Sequence, residues 1–330
     1  MEIETVTPPD TSLVTMDNIS FPEVVDSSII QTASQCSRKG YYSSIRNIIP
    51  GEINVHLNAG GAYAKALQVY RTEYYQNGES LEVARARGAV ALIKAYGSFE
   101  APERQSAKQW HNILHAYLSY IEQYNPKFDI LKPYSLEGKS FIEFSFAIPL
   151  PVKHPDTHQP ILYGGRSDMI GVMYDTDLYV EDDKTTGQLG EKWSEQWKMR
   201  GQFTGYTWAG RHYGHDIKGV IVRGTSIQKT QTKHIQSFEY RPQWMVDQWY
   251  EEMINKLEQM VFAYERLRNM GAKNLENAYA YPKDGQFNDH CATYGGCRYR
   301  VLCSSPRPEM WVPINFQYHK WNPLHVEEID

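Results

Sequence analysis

The sequence predicts an α/β fold. Three observations carry that prediction. Two runs rich in β-branched and apolar residues, Arg166 to Met173 and Leu178 to Val180, flank a turn at Tyr174-Asp175-Thr176-Asp177. Stretches with apolar residues at helical spacing precede them, the clearest being Trp110, Ile113, Leu114, Tyr117, Leu118 and Ile121. Two more strand-like runs, Lys218 to Thr225 and Thr232 to Tyr240, follow a further helical stretch. At 330 residues the chain is long enough to bury a large core. A hydrophobic content of 41% with 22% charged residues places it among globular chains. No run of about 18 apolar residues suggests a membrane span. The N-terminal MEIETVTPPD is acidic and lacks the apolar stretch of a signal peptide, so a cytoplasmic location is expected. The net charge of -5 excludes a broad basic coat for nucleic acid. It leaves room for a locally basic groove, and a bound metal adds positive charge of its own.

The elements follow in order. Residues 1–25 contain Thr-Pro-Pro-Asp and little periodicity, and read as an extended arm. Leu57 to Gln76 reads as a Gly-Gly entry into an amphipathic helix, with His56 just upstream. Ser80 to Tyr96 and Gln105 to Tyr124 continue helical until Asn125-Pro126 breaks the pattern. Arg85 and Arg87 lie on this block as solvated charges or DNA contacts. Ser140 to Leu150 alternates as a strand carrying Glu143, and His154 to Pro160 reads as a hairpin tip. Ser194 to His212 reads as one helix, so Gln202 and Tyr206 sit at i and i+4 on one face. Trp193, Trp197 and Trp208 near it are core residues first and base-stacking platforms second. Pro242 starts a long helix, Gln243 to Met270, which Gly271 stops.

The chemistry concentrates between Arg166 and Tyr206. Side chains alternate along a strand, so Asp182 and Lys184 share one face while Glu181 and Asp183 share the other. A three-residue hairpin loop sets Asp168 opposite Asp182 or Lys184; a two-residue loop sets it opposite Asp183. Two carboxylates and an ammonium at one hairpin end suit a hard cation such as Mg²⁺ or Mn²⁺, which takes oxygen ligands and keeps waters. Such a water can attack a phosphodiester, and an adjacent lysine can orient it.

The residues GRSD, VEDDKTTG and then Gln202-Phe203-Thr204-Gly205-Tyr206 resemble the PD-(D/E)XK nuclease superfamily, in its RecB-like branch. That branch shows Gly-x-x-Asp, Asp-x-Lys-Thr and Gln-x-x-x-Tyr in the same order. The resemblance implies a restriction-endonuclease-like α/β core with a mixed central sheet, a helical insertion at about 60–130 and a C-terminal cluster lobe, all within one domain spanning 26–330. It implies metal ligation by Asp168 and Asp182, with the Asp183 carbonyl as a further ligand. Lys184 becomes the catalytic lysine, and Glu143 binds the metal directly or through water. Gln202 and Tyr206 become DNA contacts or structural supports. The family places a metal-binding His on the first turn of the early helix. Ala64 stands at the aligned position here, so one ion, or a second one held weakly, is expected.

The four cysteines are Cys36, Cys291, Cys297 and Cys303. Four thiolates in a cytoplasmic protein suggest a metal site rather than disulfides, and both iron–sulfur and tetrahedral zinc accept four cysteines. One Cys before the nuclease motifs and three after them is similar to iron–sulfur RecB-like nucleases, which include CRISPR-associated exonucleases. That resemblance implies a 4Fe-4S cluster stapling the C-terminal segment to the N-terminal helix. The C-x5-C-x5-C spacing is wider than that group's usual C-x2-C, and His290 is a substitute ligand if the metal is zinc. The expected function is metal-dependent DNA cleavage by a stand-alone exonuclease in recombination, repair or phage DNA processing, with DNA and a recombination protein as partners. A structure-specific endonuclease and a non-catalytic DNA-binding subunit are the alternatives.

Overall fold

The computed structural model describes residues 19–51, 55–270, 278–292 and 296–324. The chain begins with strand β1 (Val24–Val25), helices α1 (Ser27–Gln35) and α2 (Ser37–Gly40), a π-helical turn (Tyr41–Ile45) and strand β2 (Ile48–Pro50). A helical block follows: α3 (Val55–Arg71), a π-helical turn (Thr72–Gln76), α4 (Leu81–Tyr96), a 3-10 turn (Glu103–Lys108) and α5 (Trp110–Gln123). Next come β3 (Leu131–Pro133), β4 (Ser135–Leu136), β5 (Lys139–Ser140), β6 (Ile142–Lys153), β7 (Pro160–Met173) and β8 (Asp177–Thr186). Helices α6 (Glu191–Glu195) and α7 (Gly201–His212), strands β9 (Ile217–Ile227) and β10 (Thr232–Tyr240), and the long α8 (Gln243–Asn269) complete the body. The C-terminal segment holds α9 (Arg300–Ser304), α10 (Val312–Asn315) and β11 (Phe316–Tyr318), and β11 pairs antiparallel with β2.

The main sheet has seven strands and is mixed. Its path runs β1-β7-β8-β9-β10, with β3 and β6 on the other side of β7. β7 pairs antiparallel with β6, β3 and β8, whereas β8 pairs parallel with β9. The β7–β8 ladder runs from Met173 opposite Asp177 to Met169 opposite Glu181. Beyond that pair the strands part, and β8 continues only against β9. This fork is the structural origin of the site.

Each face of the sheet is covered, as the apolar stretches of β8 and β9 require. On one face, Trp193 of α6 lies flat over Gly224, where a Cβ would come within 2.4 Å of the indole. Helix α7 packs beside it through Phe203 and Tyr206, both buried in the main core. Gly205 permits this approach, because a Cβ there would meet the Tyr163 hydroxyl at 2.2 Å. On the opposite face lie α3 and α5, which with α4 form a separate core of Tyr63, Leu67, Leu92, Ile113, Tyr117 and neighbours. Ile227 is the one sheet residue among the buried members of that cluster. The helical block therefore meets the sheet largely through polar side chains.

Several sequence expectations need correction. The N-terminal arm ends earlier than residue 25: Phe21 is core, and Val24 and Val25 pair with Leu162 and Tyr163. Their apolar side chains have a sheet edge to join. The early helix is already formed at Val55, so Gly60 and Gly61 lie inside it. A Cβ on Gly60 would reach 3.4 Å from the Thr185 hydroxyl, which marks a close helix–sheet approach. The single helix over 194–212 is instead α6, a turn and α7. The break lets both Trp193 and Trp197 turn into the core, with ring centroids 5.1 Å apart, and the buried Arg241 binds the Trp197 carbonyl at 2.6 Å. Trp110 is exposed, outside the stripe it was assigned to, because α5 only starts there. Trp193 and Trp197 are core, and Trp208 is partly buried and stacks on Tyr250. Arg85 pairs with Glu122, and Arg87 pairs with Glu73 and Glu79 on the helical surface.

Candidate metal centre

The hairpin loop has three residues, Tyr174 to Thr176, which sets the register. Extending the ladder one step past Met169–Glu181 brings Asp168 opposite Asp182. The β6–β7 ladder sets Ile142 against Met169 and Phe144 against Ser167, so Glu143 falls opposite Asp168. Glu143, Asp168 and Asp182 thus form one row across three adjacent strands, at the point where β7 and β8 diverge. Glu143 has a positive φ of 55°, which interrupts its own ladder and turns it out of the regular pleat.

Lys184 lies two residues on and forms an ion pair with Asp182. Its ammonium also sits 5.9 Å from the Phe203 ring centre. Asp182 is buried, while Lys184 keeps about a third of its side chain exposed (32%). The Asp168 carboxylate sits in the fork and accepts a hydrogen bond from the Asp183 amide at 2.6 Å. From there it reaches the other face too. Oxygens of Asp168, Glu181 and Asp183 all lie within 4.8 Å of one another, the one such group of three among the described residues. Asp182 stands outside that set. The sequence expectation of an Asp168–Asp182 pair is met in register, but Asp168 is shared between two faces.

The second face is fully enclosed. Arg71 of α3 donates through Nη2 to Glu181 Oε1 at 2.9 Å and to Asp183 Oδ2 at 2.7 Å. The same nitrogen donates to the Tyr120 hydroxyl at 2.8 Å, and that hydroxyl lies 3.2 Å from Glu181 Oε1. Arg223 is committed to Asp129 at 2.7 Å and approaches Glu181 at 3.9 Å. Glu181 Oε2 and Asp183 Oδ1 remain buried without a hydrogen-bond partner among the described residues.

Burial and mutual repulsion dominate the electrostatics. Burial pushes the Asp168 carboxyl well above its usual range, and Asp182, Asp183 and Glu143 push it further. Asp182 is raised by burial, partly countered by Lys184. Glu143 is raised by burial, with Arg166 at 2.9 Å pulling it back. Glu181 is pushed up to about 8 by burial and Asp183, against the pull of Arg71. Burial disfavours the charge on Lys184, yet Asp182 and Asp168 outweigh it and hold its ammonium above the usual lysine range. Crowded carboxylates with raised pKa values and orphaned oxygens fit a hard divalent cation, which would satisfy both charge and lone pairs.

Gln202 donates to the Tyr206 hydroxyl at 2.8 Å, as the i,i+4 spacing requires. Tyr206 lies near Asp182 and Asp168, and burial raises its phenol. Gln202 lines two clefts beside the centre. One, of about 280 Å³, runs between Asp26, Arg166, Tyr206 and Trp321; the other, of about 390 Å³, between Gln31, Met199, Arg200 and Trp249. His56 is exposed on the first turn of α3, and Ala64 lies on the same helix.

The four cysteines lie where the C-terminal segment meets the α1–α2 junction. Cys36 sits at the α1–α2 junction, and a Cβ on Gly285 would fall 3.1 Å from Cys291 Sγ and 3.6 Å from Cys36 Sγ. Burial raises the Cys291 thiol, and Cys297 and Cys36 add to it; burial likewise raises Cys303, with Lys283 and Arg38 opposing. The C-terminal segment is tied to this junction by Ser37 N to Asp284 (2.8 Å), Arg38 N to the Pro282 carbonyl (3.0 Å) and Asn288 to the Gln35 carbonyl (3.0 Å). No three sulfurs lie within 4.8 Å of one another among the described residues. Tetrahedral zinc sets its sulfurs about 3.8 Å apart, so a closed zinc geometry is not preformed. His290 is exposed.

Sequence reading missed Arg71, Arg166 and Arg223. A signal existed for two of them. Arg71 falls on the apolar face of α3, in step with Tyr63 and Leu67, and Arg223 interrupts the apolar run of β9. A charge on a buried face must find a partner.

No protein-family model matches the chain, and no curated protein matches it. Among solved structures, the chain is similar to the crystal structure of SSO0001, at 14% identity over 69% of this chain and 84% of that one, with a TM-score of 0.26. A likeness at that score carries no conclusion. Among the described residues, no helix is long and apolar enough to cross a membrane.

Proposed function

We propose that the protein is a metal-dependent deoxyribonuclease with a restriction-endonuclease-like core, acting from DNA ends. The observation that carries this reading is the row Glu143, Asp168 and Asp182 at the strand fork, with Lys184 beside it. Asp168 and Asp182 would hold one Mg²⁺ or Mn²⁺, with the Asp183 carbonyl and Glu143 as supports. The ion would supply Lewis-acid polarisation of the scissile phosphate and a lowered pKa for the attacking water.

The chain's own groups do the rest. The Lys184 ammonium, paired with Asp182, acts as a donor that orients water and balances phosphate charge. Asp182 aims it. The new bond joins the water oxygen to phosphorus as the P–O bond to the leaving nucleotide breaks; the proton shed by the water goes to solvent, and solvent protonates the departing oxygen. Gln202 fixes the Tyr206 hydroxyl, and the adjoining clefts with Arg166 and Arg200 offer a path for one strand. The proposal extends to a structural 4Fe-4S cluster bound by Cys36, Cys291, Cys297 and Cys303: Cys36 and Cys297 act electrostatically on both Cys291 and Cys303, and Lys283 and Arg38 oppose them at Cys303.

The test is digestion of end-labelled single- and double-stranded DNA, and of closed circles, by anaerobically purified protein with Mg²⁺, Mn²⁺ or EDTA. Metal-dependent loss of ends, abolished in Asp182→Ala and cut by roughly 10²–10³ in Lys184→Ala, supports the reading. Cutting of circles would replace the exonuclease by an endonuclease. No cleavage with DNA still bound would overturn the enzyme reading.

A further inference from the structure

One cation is already built into the acidic centre, the Arg71 guanidinium. Oxygens of Asp168, Glu181 and Asp183 lie within 4.8 Å of one another, about the spread of ligands around a single hard ion. Arg71 Nη2 stands against two of them, 2.9 Å from Glu181 and 2.7 Å from Asp183. The three side chains Arg71, Glu181 and Asp183 are 4%, 0% and 2% exposed, so solvent cannot screen the charge there. We infer that Arg71 occupies the second cation position of this centre, that the protein therefore binds one divalent ion, and that removing the guanidinium opens a second ion site at Asp168, Glu181 and Asp183. This rests on the metal-centre reading above.

Charge counting agrees. Arg71 pairs with Glu181 and Asp183, Arg166 with Glu143 and Lys184 with Asp182, and Asp168 is the fifth carboxylate of the cluster. Two of its five carboxylate charges are left over, the charge of one Mg²⁺ or Mn²⁺. Arg223 does not change the count, because its own close partner is Asp129 at 2.7 Å. Glu181 Oε2 and Asp183 Oδ1 are orphaned as the centre stands, so both have ligand capacity to spare once the guanidinium is gone. A guanidinium cannot deprotonate or dissociate, and it is tethered through α3, whose Tyr63 also bonds Thr225 at 2.9 Å. A permanent charge in this position keeps a second ion out by direct repulsion.

Mn²⁺ is the probe, since hard oxygen ligands take it and thiolates compete poorly. Bound Mn²⁺ is counted by electron paramagnetic resonance on the full chain. Wild type should take up one ion per chain, Arg71→Lys one, and Arg71→Met two, with the second lost again in Arg71→Met/Glu181→Gln. Two ions in wild type, or one in folded Arg71→Met, overturns the inference while leaving the metal centre standing. No ion in wild type overturns both. If Arg71→Met is unfolded without metal, circular dichroism follows its recovery: folding at two Mn²⁺ per chain supports the inference, and failure to recover at saturating Mn²⁺ overturns it.

Discussion

Asp168→Asn separates charge from shape at the strand fork. The asparagine oxygen can still accept from the Asp183 amide, now 2.6 Å from Asp168, so the fork should persist. What disappears is a buried negative charge facing Asp182, Asp183, Glu143 and Glu181. Folding raises the Asp168 pKa, so its ionised form costs stability at neutral pH, about 1.4 kcal/mol for each tenfold weakening of the acid. For 330 residues the unfolding entropy near the midpoint is about 0.7 kcal/mol per kelvin, so each 1 kcal/mol moves Tm by about 1.4 °C. In EDTA at pH 7 the variant should therefore melt higher than wild type, by about 2 °C for every such tenfold step. Metal acts in the opposite sense. An ion at a hundred times its Kd adds about 2.7 kcal/mol to wild type, or about 4 °C, and should add little to the variant. Differential scanning of both proteins in EDTA and in Mn²⁺ reads all four numbers. A variant that melts lower than wild type in EDTA, or that gains the full 4 °C or so from Mn²⁺, would refute the argument.

Three further outcomes follow from the same structure. The Glu181 pKa of about 8 lies above its usual value of 4.5, so the folded state binds the extra proton between those limits; stability should fall by up to about 1.4 kcal/mol per pH unit as pH rises through that window, and Glu181→Gln should flatten the slope in urea titrations. Gly205→Ala would drive a methyl into the Tyr163 hydroxyl and the Trp249 ring, so we expect a loss of about 1–3 kcal/mol in urea unfolding; an unchanged midpoint would mean that α7 does not pack as described. On the proposed iron–sulfur reading, Cys36→Ser should bleach the visible absorption of anaerobically purified protein and speed proteolysis of the segment after Tyr281, whereas full iron content in the variant would remove Cys36 from the ligand set.

Much of the site was readable because its signals are local. A three-residue loop and strand alternation are enough to bring Asp168 against Asp182 and to put Lys184 on the same face. The i,i+4 spacing is enough to join Gln202 to Tyr206. Glu143 was assigned to the site from the motif order, and its seat opposite Asp168 emerged from the β6–β7 register. Helix bounds were less legible: the break between α6 and α7 depends on Arg241 binding the Trp197 carbonyl, a contact between residues 44 positions apart.

An α/β chain, the hairpin that carries the carboxylates, and one cysteine before it with three after are legible in the chain, since they are properties of neighbouring residues and composition. Where the charges go was settled by packing. Arg71 reaches Glu181 and Asp183 across 110 and 112 residues, and the parting of β7 from β8 lets Asp168 serve both faces of the sheet. A buried charge announces that it needs a partner, but which partner it meets is set by how helix and sheet pack, and no local pattern in the chain encodes that distance.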